Sequence, residues 1–593
     1  MRLAIFHGPF TAERAAQMMG ATLQNIRVLL DQSLLQKSGP GRYQIHALLR
    51  QYALEQLADD PPGYRALYED YCRGYLLSLA DYELGLKSSA QIGVLEEMAY
   101  EYENLIDAWD WAIANGRIDW MVGGCEGLCY YFELRGLHEE GIRFCQKNMD
   151  CLVAAGLCAQ NICLWITLGI WGVLFRTLIF RFEESQTLVL DIQDKLTLAD
   201  RLGVDARREQ GRLRLVIGAV TLWGGLGRQQ ALACYQHGLR LLYDTENPWD
   251  ISLALAGIAE CHDQLGNIAL CQRFSEEGLA IQAEIGDPHI INRLVMTLGY
   301  SHMLAGDYQA GLRLVQEQNA YRQKINQQHW QVESLAQLGL AMHHAGQFEQ
   351  SSILCRQAIA AYTLPEDFLL RSFFKSIVAC NDLCMGNYAA VMSEAAWLGE
   401  PKWPYYEATL GFLKGWVRLL GPDVLALEGR EVTPDLQRAE QEMQSYLALN
   451  RALPRFDMQG FPLAILAYIA YRRGNMELAR KRLIEALESG IQQQYYAVQH
   501  TSLAILALIL GEHGQYETAL ELYRMAESHP FIGNSLIYAD LFGKPIAHLA
   551  IHLSEETLAA VSRHAQEKDL TRTVEAYLAM LHTGGWNQVL AVG

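Results

Sequence analysis

LGYSHMLAGDYQAGL, residues Leu298–Leu312, is the stretch whose reading decides the fold. Gly306 sits at its centre, with Gly299 seven residues before it, Tyr308 two after it and Gly311 five after it. The same grouping recurs around Gly266, Gly346, Gly386, Gly474 and Gly514. Gly266, Gly306, Gly346 and Gly386 are spaced by 40 residues, and Gly514 follows Gly474 by 40. The missing member of the series falls near Gly421, where the segment from Pro422 to Pro434 reads as an insertion. Gly227 lies 39 residues before Gly266 and begins the regular series.

The companions of each glycine state what the repeat is. Seven residues before it stand Ala259, Gly299, Gly339, Ala379, Ala467 and Ala507, all small. Two after it stand Ile268, Tyr308, Phe348, Tyr388, Met476 and Tyr516, all large. Five after it stand Cys271, Gly311, Ser351, Val391, Ala479 and Ala519, most of them small. A small residue on each of two helices lets them cross closely, and the large one fills the space above the turn. Glycine ends the first helix because it accepts positive φ at little cost. This is the logic of a helix–turn–helix repeat, and it resembles the tetratricopeptide pattern, with a period longer than the usual one of about 34 residues. The predicted fold is all-α: a tetratricopeptide-like right-handed superhelical solenoid over residues 121–530. Looser copies at Arg135–Phe144 and Phe180–Leu188 extend it toward the N-terminus.

Residues 1–62 read differently. GPFTAERAAQMMG (Gly8–Gly20) predicts a helix capped by Thr11, and LQNIRVLLDQ (Leu23–Gln32) a second helix. SGPG within Ser33–His46 predicts a hairpin, and ALLRQYALEQL (Ala47–Leu57) a third helix. That order is a winged-helix layout. With LAIFHGPFTAERAAQMMG, LLDQSLLQ and GRYQIHALLRQYALEQL, it resembles the winged helix that follows the nucleotide-binding module of bacterial STAND regulators, AfsR-like or MalT-like and related to the NB-ARC switches. AYEYENLIDAWDWAIANG (Ala99–Gly116) resembles their connector, here residues 63–120. DLFGKPI (Asp540–Ile546) and the two amphipathic helices after it resemble their closing segment, here a cap over 531–593.

The resemblance implies a sensor portion that binds a protein or small-molecule inducer in its solenoid groove. It also implies that His46 contacts ADP held by a nucleotide-binding module. No GxxxxGK[ST] occurs in this sequence, so ADP or ATP would come with a module upstream in cis or on another chain. Read from the residues alone, His46 is a helix-start histidine packed under the wing.

Composition narrows the function classes. Hydrophobic residues make up 51% and charged ones 19%, a core-forming balance. A net charge of −19, and six basic against five acidic residues in positions 1–60, disfavour DNA as a partner. The second helix carries only Arg27 as a base, although a winged helix that reads DNA remains an alternative, as does a stand-alone scaffold for protein partners. Cys125 with Cys129 and Cys380 with Cys384 are each one helical turn apart, which reads as packed small residues and not as a metal site. The 13 cysteines form no disulfide framework, pointing to a reducing cytoplasm. The uncharged stretch Leu152–Phe175 reads as a buried repeat helix and not a membrane span.

No HExxH, GxSxG or glycine-rich dinucleotide loop occurs, so no catalytic residues are expected. His548 and His552 read as an ordinary helix surface, and adjacent His343 and His344 diverge by about 100° on a helix. Counting back from the turn glycines, the residues facing the groove are Glu260, Asp263, Tyr300, Met303, His343, His344, Tyr468, Tyr471 and Arg472. Each is either a ligand contact or packing between neighbouring helices.

Overall fold

A computed structural model describes residues 1–324, 328–361, 368–393, 404–420, 435–452, 459–493 and 495–590. Among them the chain is all-α apart from one small sheet, and its repeats are tetratricopeptide-like helix pairs. The chain divides into two compact units: Met1–Gly224 with Ala233–Gly257 and Gly278–Asn292, and Gly225–Leu232 with Ile258–Glu277 and Arg293–Gly593.

The turn glycines fall where the spacing places them. Pairs such as Pro288–Leu304 with Tyr308–Lys324, Gln328–His344 with Phe348–Ala361 and Tyr496–Glu512 with Tyr516–Glu527 flank Gly306, Gly346 and Gly514. These glycines have φ of +87°, +71° and +87°, a left-handed conformation that side chains with a Cβ resist. In every case the large residue two positions later opens the second helix. The small positions are sterically required. A Cβ on Gly311 would stand 2.5 Å from the carbonyl oxygen of Gly299, and one on Gly339 would stand 2.6 Å from Cys355 Sγ. Ser351 Oγ donates 2.6 Å to the carbonyl of Gly339, so this crossing is tied by a buried hydrogen bond as well.

The same turn appears in the first unit. Gly136 (φ +66°) separates Cys125–Leu134 from His138–Ala155. Phe180, not a glycine, holds φ +63° between Ile162–Leu178 and Phe182–Arg201. Gly227 departs from the expected register: its helix begins at Arg228, one residue after the glycine and not two, and left-handed φ falls on Gly225 as well. The insertion expected at Pro422–Pro434 lies outside the described residues. Ile162–Leu178 is largely buried, and no helix among the described residues is long and apolar enough to cross a membrane.

At the N-terminus, helices Ala12–Met19, Leu23–Asp31 and Ala47–Leu57 combine with strands Phe10–Thr11, Leu35–Gly39 and Arg42–Ile45. The strands make one antiparallel sheet in the order first, third, second. Thr11 caps its helix by accepting from Arg14 N–H, as its position predicts. The long helix Gln91–Ala114 holds these elements through polar groups. Asn104, fully buried, accepts from His7 and Gly8 N–H through Oδ1 and donates to Pro9 O through Nδ2. Glu101 pairs with Arg42 at 2.6 Å and accepts from Tyr75 at 2.8 Å.

Buried charge continues through this unit. Glu126 receives Lys87 and Arg208 at 3.0 Å and also Arg212, while Arg208 and Arg212 reach on to Asp250. Glu83 completes the set on Lys87 at 2.6 Å, so three carboxylates meet three cations. Nearby, Asp287 is fully buried and accepts from Tyr130, Trp249 and Gln91.

Candidate functional site

The second unit encloses a cavity of about 230 Å³. First helices of successive pairs supply most of its wall: Met303 from Pro288–Leu304, Leu340, His343 and His344 from Gln328–His344, and Cys380, Cys384 and Ile377 from Phe368–Cys384. Helix Pro404–Val417 adds Leu413 and Trp416. The far wall comes from the segment after the last repeat, through His529, Phe531 and Tyr538.

That segment crosses the turns of three successive pairs in order. His529 bonds Tyr308 through Nε2, and Phe531 packs edge-on to Phe348 at 5.6 Å. Asn534 donates to Gly346 O, and Tyr388 donates to Asp540 at 2.5 Å. Tyr308, Phe348 and Tyr388 are the large residues two past each glycine, so the repeat pattern also forms the seat of this strap. Gly346 is glycine for a second reason here: a Cβ would stand 2.4 Å from Pro530 O.

The polar groups of the cavity have defined protonation. His529 Nδ1 accepts from Phe531 N–H at 3.2 Å, which makes Nε2 the protonated nitrogen that donates to Tyr308. Burial, then the neighbouring His500 and His344, hold the His529 imidazole well below its ordinary pKa. His500 packs edge-on to it at 4.9 Å and is held down to about 4 by burial. His344, lowered to about 3 by burial and then by His343, is neutral too. Its ring retains exposure to the cavity, and among the described residues no hydrogen-bond partner meets it. His343 is buried, and its Nδ1–H donates 2.7 Å to Asn381 Oδ1. Asn381 Nδ2 donates in turn to Ser351 Oγ at 2.9 Å, which fixes the direction of the whole relay. Burial lowers the His343 pKa, and Cys380 with Asn381 more than offsets it, so the net shift is upward.

Of the groove residues expected from the sequence, the structure brings Met303, His343 and His344 together here. The 100° between the two adjacent histidines does not separate them: their rings lie 5.5 Å apart and both line the cavity. The others lie elsewhere. Glu260 pairs with Arg293 at 2.8 Å. Asp263 has its pKa raised to about 7 by burial and then by Glu260. Tyr300 donates to Gln337 O at 2.8 Å, so it packs between helices. Tyr468 is buried against Phe542, while Tyr471 and Arg472 both engage Glu512 on the surface.

Other expectations change as well. His46 caps helix Ala47–Leu57 with Nδ1 accepting from Leu48 N–H at 3.4 Å, but it is exposed and not packed under the hairpin. It lines a shallow groove with His7, Gln44 and Arg50. His548 and His552 do not share one α-helix, since the chain turns to a 3-10 helix at Leu549–His552 and His552 stacks on Tyr516 at 4.4 Å. Cys125 and Cys129 are buried as small packing residues, whereas Cys380 keeps exposure to the cavity. Sequence reasoning missed His529, Phe531 and Tyr538 because they follow the last repeat. The only available signal was the motif position of Tyr308, Phe348 and Tyr388, which needed an occupant.

No family model matches this sequence. No curated protein matches it. Among solved structures, a Rap protein complexed with competence and sporulation factor is similar over 63% of this chain and 99% of its own, at 16% identity and a TM-score of 0.44. The apo form of RapI is similar over 66% of this chain and 98% of its own, at 12% identity and 0.40. A signal-transduction ATPase with numerous domains and a tetratricopeptide-repeat sensor, from Pyrococcus horikoshii, is similar over 70% of this chain and 63% of its own, at 14% identity and 0.39.

Proposed function

We propose that the protein is the sensor portion of a STAND-type regulator and that its inducer is a small, uncharged, mostly apolar molecule bound in the cavity of the second unit. The observation that carries this reading is His344. A neutral imidazole with an open hydrogen-bonding position stands in an otherwise apolar, aromatic chamber, the arrangement that orients a ligand with one polar group. Neutral histidines favour an uncharged ligand, because an anion there would lose its hydration without a cation to replace it. The strap that closes the chamber seats on three repeats, so a ligand beneath it couples to several helix pairs at once.

On the same reading, the N-terminal helices and hairpin are a winged helix that docks on a nucleotide-binding module, in cis or in trans. Exposed His46, with Arg50 in the same groove, supports a contact to the diphosphate of ADP. The protein itself acts by binding and performs no turnover.

The test uses 4-phenylbutan-2-one, a neutral arylalkyl ketone, as the probe. Ligand at about 100 times its Kd is expected to stabilise the folded chain by about 2.7 kcal/mol. Ser376→Phe places a ring in the chamber from its wall and is expected to abolish the shift while leaving the probe-free melting profile in place. No stabilisation by the ketone, together with no small molecule retained in native mass spectrometry of the purified protein, would overturn the proposal.

A further inference from the structure

We infer that Cys380 is a covalent capture site for a soft electrophile, an α,β-unsaturated carbonyl compound held in this cavity. The inference rests on the cavity being a small-molecule site and adds what that molecule would be. Three observations meet at this thiol. Cys380 lines the cavity and keeps exposure to it, while its helical neighbour Cys384, also in the wall, is buried. His343 lines the same wall, with Nδ1 committed to Asn381 Oδ1, so Nε2 is the nitrogen left to exchange a proton. The relay Gly339 O, Ser351, Asn381, His343 is buried and fully hydrogen-bonded, which holds the imidazole in one orientation and one tautomer.

Electrostatics agrees with the geometry. A hydrogen bond from Cys384 lowers the Cys380 thiol most; burial opposes it and His343 lowers it further, leaving it well below the ordinary thiol range. Cys72, Cys271 and Cys355 shift the other way, and burial pushes Cys355 up to about 12. Cys384 itself is raised, first by burial and then by its bond to Cys380, so one thiol of the pair is activated.

The step balances without an oxidant. The Cys380 proton passes to His343 Nε2, and Sγ forms a bond to the β-carbon of the bound carbonyl compound. The electron pair of the broken C=C π bond shifts toward the carbonyl, giving an enolate. The imidazolium returns its proton to the α-carbon, leaving a thioether and a saturated carbonyl. His344 stands in the same wall, where its open nitrogen can donate to the carbonyl oxygen on which the charge gathers.

The experiment compares 4-phenylbut-3-en-2-one with its saturated analogue, 4-phenylbutan-2-one, on the full chain. Peptide mass spectrometry reads the alkylation rate at Cys380 against that at exposed Cys151, which stands for a solvated thiol. Cys380 is expected to react at least about tenfold faster, and the saturated ketone is expected to slow Cys380 alone. His343→Gln should cut the Cys380 rate by about tenfold while leaving the rate at exposed Cys151 unchanged. If the ketone shifts the melting profile but Cys380 reacts no faster than Cys151, covalent capture fails and the binding cavity stands. If the ketone neither shifts the profile nor protects Cys380, the cavity reading fails and takes this inference with it. An unchanged Cys380 rate in His343→Gln would remove the proton relay.

Discussion

The two units bury polar chemistry in opposite ways. In the first, carboxylates and cations go in as ions that meet several partners: Glu126 alone is met by Lys87, Arg208 and Arg212, and Asp287 by three side-chain donors. In the second, His344, His500 and His529 go in neutral, and one of them faces open space. An ionic network whose carboxylates are already met by cations leaves little capacity for a ligand. A neutral, partly unsatisfied cluster beside a cavity leaves that capacity. On the proposed function, the first unit's core is framework and the second unit's core is where the ligand would bind.

The sharpest way to break this contrast is Glu126→Leu. Three cations lose a shared carboxylate in a buried site, and the cost of an uncompensated buried charge is about 3–5 kcal/mol. Denaturant unfolding should show that loss, while the ketone should still stabilise what remains folded. A loss below about 1 kcal/mol would mean that water already enters the network.

Acid separates the units next. In the unfolded chain each histidine has a pKa near 6.5. In the fold, His500 is lowered to about 4 and His344 to about 3, both chiefly by burial. Below pH 6.5 the unfolded state therefore binds protons that the folded state refuses, and stability falls as pH falls. At pH 5 the loss is about 2 kcal/mol for each of the two. His343, raised in the fold, acts in the opposite direction: its contribution is complete below pH 6.5 and is lost at higher pH. Glu126 is lowered from an unfolded value near 4.5; burial is opposed by Arg212, Lys87 and Arg208, and its contribution begins to fail only below pH 4.5. Hydrogen exchange between pH 7 and 5 should thus weaken protection in helix Tyr496–Glu512 before it weakens helix Cys125–Leu134. Equal loss in both would contradict the assignment of neutral histidines.

The repeat was legible because its cause is local. Gly299 and Gly311, twelve residues apart, each answer a clash that the other's backbone creates, so the sequence records the contact twice. Thr11 as a cap and the hairpin around Gly41 were legible for the same reason. The cavity was not. Met303 and His343 could be placed on a groove by counting, but His529 reaches Tyr308 across 221 residues, and nothing periodic links them. Asp263 and Glu260 were read as groove residues by the same count, yet Glu260 is spent on Arg293. Helical phase gives the face of a helix, and only tertiary packing says whether that face meets a neighbour, a strap or an empty space.

Glycine substitutions test the strap more finely. Gly306 and Gly346 share the turn conformation, but a Cβ at Gly306 meets nothing within 4 Å, whereas at Gly346 it meets the backbone of Pro530. Gly306→Ala should cost about 1 kcal/mol, the left-handed penalty alone. Gly346→Ala should cost a further 1–3 kcal/mol, roughly, and loosen His529–Tyr538 in hydrogen exchange. Equal costs would mean that the strap does not seat there.

The smallest effect is expected at Phe180, the one turn position of the first unit's pairs where a ring stands in the glycine slot. Its φ of +63° carries a penalty of about 1–2 kcal/mol that glycine would remove. Against that, Phe180 packs edge-on to Phe182 at 6.0 Å, a contact worth about 0.5–1.5 kcal/mol. The two terms oppose each other, so Phe180→Gly should change stability by less than about 1 kcal/mol in thermal unfolding. A destabilisation of about 3 kcal/mol would show that the ring, and not the backbone conformation, organises this turn, and that the glycine rule of the second unit stops short of it.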